Sequence, residues 1–202
     1  MIADLDEALK QLLIKKVPLN PAEVNISFDM PGREWSAAIS KPTVNIYLYD
    51  IHENQDLRDN EWRVERNNGM ATKKKPPVRV DLSYLITAWT TDTFDQHRLL
   101  AHVLATLFRY PELPEELLPE SLKGLEYPLR TATAQPDGVL RNSADFWSAL
   151  DNQLRPSINY VVTLPVSLDV AFSAPIVHTK TFKFRARGAP PEQIVQIGGI
   201  VR

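Results

Sequence analysis

The chain has 202 residues with 44% hydrophobic and 24% charged side chains and a net charge of −2, the balance of an ordinary globular protein. A sequence pI near 6.1 argues against general nucleic-acid binding, which goes with strongly basic domains. With no cysteine, disulfide staples, thiolate metal sites and a cysteine nucleophile are excluded.

A chain this long buries about 70% of its unfolded surface, so one main domain with an extension is expected. The acidic opening Met1–Glu7 is unlike a basic signal peptide, and no apolar run approaches the roughly 20 residues of a membrane span. A soluble protein made in the cytoplasm is expected, with no membrane partner. Sixteen prolines against seven glycines mark many element breaks and few positions suited to phosphate-cradling loops.

In chain order, Leu5, Leu9, Leu12 and Leu13 fall on one face of a helix predicted over 4–16, with Asp4 as N-cap and Glu7 three residues on. Pro18 and Pro21 end it. A short strand over 24–28 precedes a clearer one in which Val44, Ile46 and Leu48 oppose Asn45, Tyr47 and Tyr49. After a polar stretch over 50–59, Trp62 and Val64 suggest a short strand. The even positions of 78–88 are all apolar or tyrosine, the pattern of a long half-buried strand. Pairing of 61–66 with this strand would leave the lysine run 73–75 at the tip of a long hairpin.

A helix over 93–110, capped by Asp92, carries an apolar stripe from Phe94 to Phe108 and stops at Pro111. A short helix over 115–123, a strand over 129–134 and a helix turn over 142–150 follow. Residues 158–168 alternate as a second long strand, and Pro165 points to an edge or a bulge there. From Phe172 the chain is proline-broken and basic, read as an extended arm. The expected fold is α+β: a single domain with a mixed, mainly antiparallel sheet covered by helices over 1–171, plus an extended C-terminal arm over 172–202.

No constellation for chemistry emerges. The four histidines include no pair at ligand spacing, and His97 and His102 point well apart around their helix. There is no HExxH, P-loop, GxGxxG or GxSxG. Asp4, Asp6, Glu115 and Glu116 sit at helix starts, where carboxylates favour the dipole. No catalytic residue, cofactor or metal is expected.

Interaction residues are more promising. Lys73, Lys74 and Lys75 are either a solvated tip or a contact to an acidic surface on a neighbouring subunit. Trp35, in the loop from Pro31 to Ser36, is the strongest anchor candidate, because tryptophan is enriched at hot spots. In the arm, Ile194, Val195, Ile197 and Val201 are suited to strand addition, with alternate side chains supplying the fit.

The strings MIADLDEALKQLL, PTVNIYLYDIHENQDLRDNEW, PPVRVDLSYLITAW followed by HRLLAHVLATL, and AQPDGVLRNSADFWSALDNQLRPSINYVVTLPVSLD together resemble one family across about residues 1–170. It is that of the cap proteins of extracellular contractile injection systems, such as the antifeeding prophage and the Photorhabdus virulence cassettes. The resemblance implies a non-catalytic tail terminator. Six copies would ring the distal end of the inner tube, contact the last sheath ring, and belong to a particle assembled in the cytoplasm and open to release. Its partners would be further copies of itself, the inner tube protein and the sheath protein. Some relatives carry a longer second region where about 32 residues follow here, so no function of such a region is carried over. The alternatives are another assembly component of the particle (baseplate or sheath initiator) and a particle-associated hydrolase.

Overall fold

The computed structural model describes residues 1–18, 20, 22–67, 69–135, 143–175, 179–184 and 192–197. The chain divides into two compact units, Met1–Arg58 with Val78–Val166, and Asp59–Pro77 with Ser167–Arg202.

The first unit is built on a five-stranded sheet. Its strands are β1 (Asn25–Ser27), β2 (Thr43–Glu53), β5 (Val78–Trp89), β6 (Arg130–Thr133) and β7 (Ser157–Val166), in the order β1-β2-β5-β7-β6. Only β1 and β2 run parallel; the other pairs are antiparallel. This is the mixed, mainly antiparallel α+β arrangement that the alternation of 44–49, 78–88 and 158–168 predicts. β2 runs four residues further than its alternation suggests, because a bulge between Leu48 and Asp50 restores pairing as far as Glu53 opposite Val80. Pro165 lies opposite Arg79, beyond the point at which β6 stops flanking β7 at Thr163. Among the described residues no strand flanks that side of β7 beyond Thr163, which accommodates a residue lacking an N–H.

Alternation sends Val44, Ile46, Leu82, Tyr84, Ile86, Tyr160 and Val162 to one face of the sheet. There they form the main core with Leu5, Leu9, Leu12 and Leu13 of α1 (Ile2–Lys16) and Leu99, Val103 and Leu107 of α3 (Thr93–Arg109). α3 begins as its sequence predicts, with the Asp95 N–H donating to the Asp92 side chain at 3.0 Å. α1 differs at its start: Met1 is the N-cap, and Asp4 lies in the first turn, 2.7 Å from the terminal amine. The predicted helix over 115–123 is two 3-10 turns, Glu115–Leu117 and Glu120–Leu122, because Pro119 interrupts any continuous i to i+4 ladder.

The opposite face carries a smaller cluster. Leu85 and Trp89 of β5 pack against Trp147 and Leu150, from α4 (Ser143–Ala149) and the residue after it. Trp35, Tyr47, Tyr49 and Phe146 pack around them, half-buried. Among the described residues, no helix is long and apolar enough to cross a membrane.

The second unit holds β3 (Arg63–Asn67), β4 (Met70–Lys74) and β8 (Ala171–Pro175), ordered β3-β4-β8 and antiparallel throughout. It also holds the antiparallel pair β9 (Thr179–Phe184) and β10 (Glu192–Ile197). The long hairpin expected between 61–66 and β5 does not form. β3 turns back at Gly69 (φ +75) onto β4. The asparagine–glycine signal there is the chemistry of a tight hairpin turn, with glycine taking the left-handed backbone at little steric cost.

Candidate functional site

Turning at Gly69 places the lysine run inside a sheet rather than at a tip. Lys73 lies opposite Val64 on one side and Phe172 on the other, while Lys74 lies opposite Arg63 and Ala171. Lys75 follows the strand, its N–H donating to the Val170 carbonyl at 3.0 Å. The period of two sorts the faces: one carries Val64, Arg66, Lys73 and Phe172, the other Arg63, Glu65, Thr72, Lys74 and Ser173. The Thr72 and Ser173 hydroxyls meet at 2.8 Å. On the first face the rings of Trp62 and Phe172 are 5.7 Å apart, yet both remain exposed, at 42% and 64%, as does Val64 at 46%.

Trp35 lies on α2 (Arg33–Ala37), a single helical turn where a loop is expected; Gly32 is its N-cap. Its indole N–H donates to Asp29 at 3.2 Å, and its ring meets Trp89 edge-on at 5.2 Å. The Arg155 guanidinium stacks 3.4 Å above the Trp89 ring centre, and burial lowers its affinity for its proton. Trp35 also lines an open cleft of about 390 Å³ with Val24, Ser27 and Ile39, so part of the indole serves the local cluster and part faces outward.

Ile194, Val195 and Ile197 all lie on β10, opposite Phe182, Thr181 and Thr179 of β9. Val201 lies outside the described residues.

Two further features escape the sequence pattern. At the far end of the main sheet, Thr163 donates to Asp81 Oδ1 at 2.7 Å and the Asn54 amide donates to Oδ2 at 2.8 Å. His52 Nδ1 is 2.9 Å from Asp50 Oδ2. Both oxygens of Asp81 are engaged, so the group staples β5 to β7 and to the end of β2 rather than offering a free base. The second is an acidic stretch: residues 112–126 hold five glutamates and one lysine. Three of them, Glu112, Glu115 and Glu126, line a groove of about 480 Å³ with a leucine floor of Leu118, Leu122 and Leu125. The glutamates are countable in the sequence, but only the fold sets three of them beside an apolar floor.

Among the described residues, no three histidine, aspartate or glutamate side chains gather as they would to hold a metal. The described residues present a basic aromatic sheet face, an acidic groove and strand edges.

The fold has solved counterparts. Over 94% of the chain it matches the PVC sheath/tube terminator of an extracellular contractile injection system in its extended state, with a TM-score of 0.69 and 27% identity. It likewise matches the tube-terminating cap of the anti-feeding prophage over 88% of the chain, with a TM-score of 0.65 and 27% identity. The fold is therefore that of terminators of contractile injection systems. Residues 4–177 match the Pvc16 N-terminal domain, and the chain belongs to that family. It spans 65% and 59% of the two solved relatives' own lengths, under two thirds of each. No curated protein matches it.

Proposed function

We propose that the chain is a structural, non-catalytic cap, the tail terminator of a phage-tail-like contractile injection system. Copies of it, six by analogy with the family, form a ring that ends the inner tube and attaches to the last sheath ring. The observation that carries this reading is the match along 94% of the chain to a protein solved as a sheath/tube terminator. The charged sheet surfaces and open strand edges are consistent with work done through protein contacts. Assembly takes place in the cytoplasm, and the particle that carries the ring is open to release.

Electron microscopy of particles from a producing strain lacking the gene tests the reading. Tubes of variable length, or tubes whose sheath is missing or unattached, are the expected result. Particles of normal length with an intact distal end would instead transfer the chain to the baseplate or the sheath initiator.

Within this reading, the arm over 172–202, or the β7 edge at Pro165, joins a neighbour by strand addition, where main-chain hydrogen bonds give affinity. Removing 176–202, which takes away β9 and β10, is expected to leave the first unit folded and to detach the sheath or scatter the ring. Intact rings with sheath attached after that truncation would end the arm hypothesis.

A further inference from the structure

The two units carry opposite charge. Residues 59–77 and 167–202 hold ten lysines and arginines against five acidic residues, while the rest of the chain holds thirteen against twenty. Formal charges of +5 and −7 therefore lie behind the modest net value of −2. Segregation of this kind favours association of unlike surfaces and steers their encounter.

The residues that would meet are specific. On the basic side, Lys73 lies between Val64 and Phe172, and Trp62 packs on Phe172 at 5.7 Å. These three apolar side chains form an exposed cluster with a cation at its centre. Aromatic side chains grouped this way are the usual anchors of a protein contact. On the acidic side, the groove of about 480 Å³ offers half-buried Leu118 and Leu125 beneath the exposed carboxylates of Glu112, Glu115 and Glu126. Its volume is in the range of about 300–1,000 Å³ typical of clefts that hold a bound group. Each surface supplies what the other lacks: exposed aromatics with a cation, and an apolar floor with carboxylates.

We propose that the Trp62–Val64–Phe172 face of one copy, with Lys73, seats in the glutamate-rimmed groove of a second copy. Two different patches on one chain make the contact heterologous, and repetition of a heterologous contact closes a ring when its rotation permits. This deepens the ring reading proposed above by naming the surfaces that join neighbouring copies.

The absence of cysteine makes the test clean. Two versions of the full chain, Lys73→Cys and a tagged Glu115→Cys, are expressed together in the producing strain. Isolated particles are then treated with a short bis-maleimide. The expected product is a covalent pair of one tagged and one untagged chain, which only an intermolecular contact can form. In parallel, Lys73→Glu should reduce incorporation into particles at least ten-fold, and Glu115→Lys on the same chain should restore it.

The protein at the tube end with neither cross-link nor rescue overturns the interface and leaves the cap reading standing. A cross-link to sheath or tube protein instead overturns it by naming another occupant. Absence of the protein from particles counts against the cap reading. In that case the soluble fraction decides the interface: a tagged–untagged pair sustains it, and no pair overturns it.

Discussion

Replacing Trp147 by alanine is expected to lower stability by about 3–5 kcal/mol, the range for truncating a large buried aromatic residue. Trp147 is 1% exposed and fills the space between α4 and the second face of the sheet. Its ring lies 6.5 Å from Trp89 and 6.4 Å from Phe146, so its loss leaves both rings facing a void. For a protein of this length each kcal/mol moves the melting temperature by about 2–4 °C, giving a fall on the order of 10 °C. Trp147→Phe keeps a ring in place and should lose less. Thermal and urea melts of the two variants check this, and a loss below about 1 kcal/mol for alanine would mean that α4 does not seal that face.

The second large effect concerns Tyr84, fully buried, whose hydroxyl donates to Asp6 Oδ1 at 2.8 Å. Burial, together with the carboxylate beside it, pushes the phenol's pKa far above its ordinary value. Tyr84→Phe keeps the packing but strips a donor from a carboxylate, and hydrogen bonds to charged groups are worth about 1.5–3 kcal/mol. Discounted for the water that still reaches half-buried Asp6, a loss of about 1–2 kcal/mol is expected.

Asp6 itself carries a signed pH dependence. Burial raises its pKa above the ordinary value, and the Tyr84 hydrogen bond offsets this only in part. The folded state therefore holds the Asp6 proton more tightly than the unfolded state does. The stability that this proton contributes is fully present below the unfolded pKa and is lost as pH rises through the folded pKa. Asp6→Asn keeps an acceptor for the Tyr84 hydroxyl and removes the buried charge. It should be as stable as the native chain or more so at neutral pH, and should lack this acid-side dependence. Urea midpoints between about pH 3 and pH 7 measure it; an unchanged pH slope in the variant would show that Asp6 does not carry the effect.

The long elements were legible because each announces itself in one stretch of sequence. The alternation of 78–88 and 158–168 gives β5 and β7, and the stripe from Leu99 to Leu107 under an Asp92 cap gives α3. Short or interrupted elements were not. α2 is a single turn without an apolar period, and Pro119 divides what reads as one helix over 115–123. The candidate surfaces divide in the same way. The lysine run, Trp35 and the glutamates of 112–126 are visible as letters, yet Lys73 gains Phe172 as a neighbour only when β8 arrives from about a hundred residues away.

By itself the sequence determined the α+β class, the main core faces and the resemblance to the terminator family, because periodicity, capping and ordered strings are local properties of the chain. The tertiary structure decided that β3 pairs with β4, and β4 with β8, rather than β3 with β5, that Lys73 and Lys74 lie within a sheet, and that three glutamates line an apolar groove. Those outcomes depend on which distant strand completes the hydrogen bonds of an edge. Many partners satisfy a short polar strand equally well in sequence, and only the fold brings one of them into register.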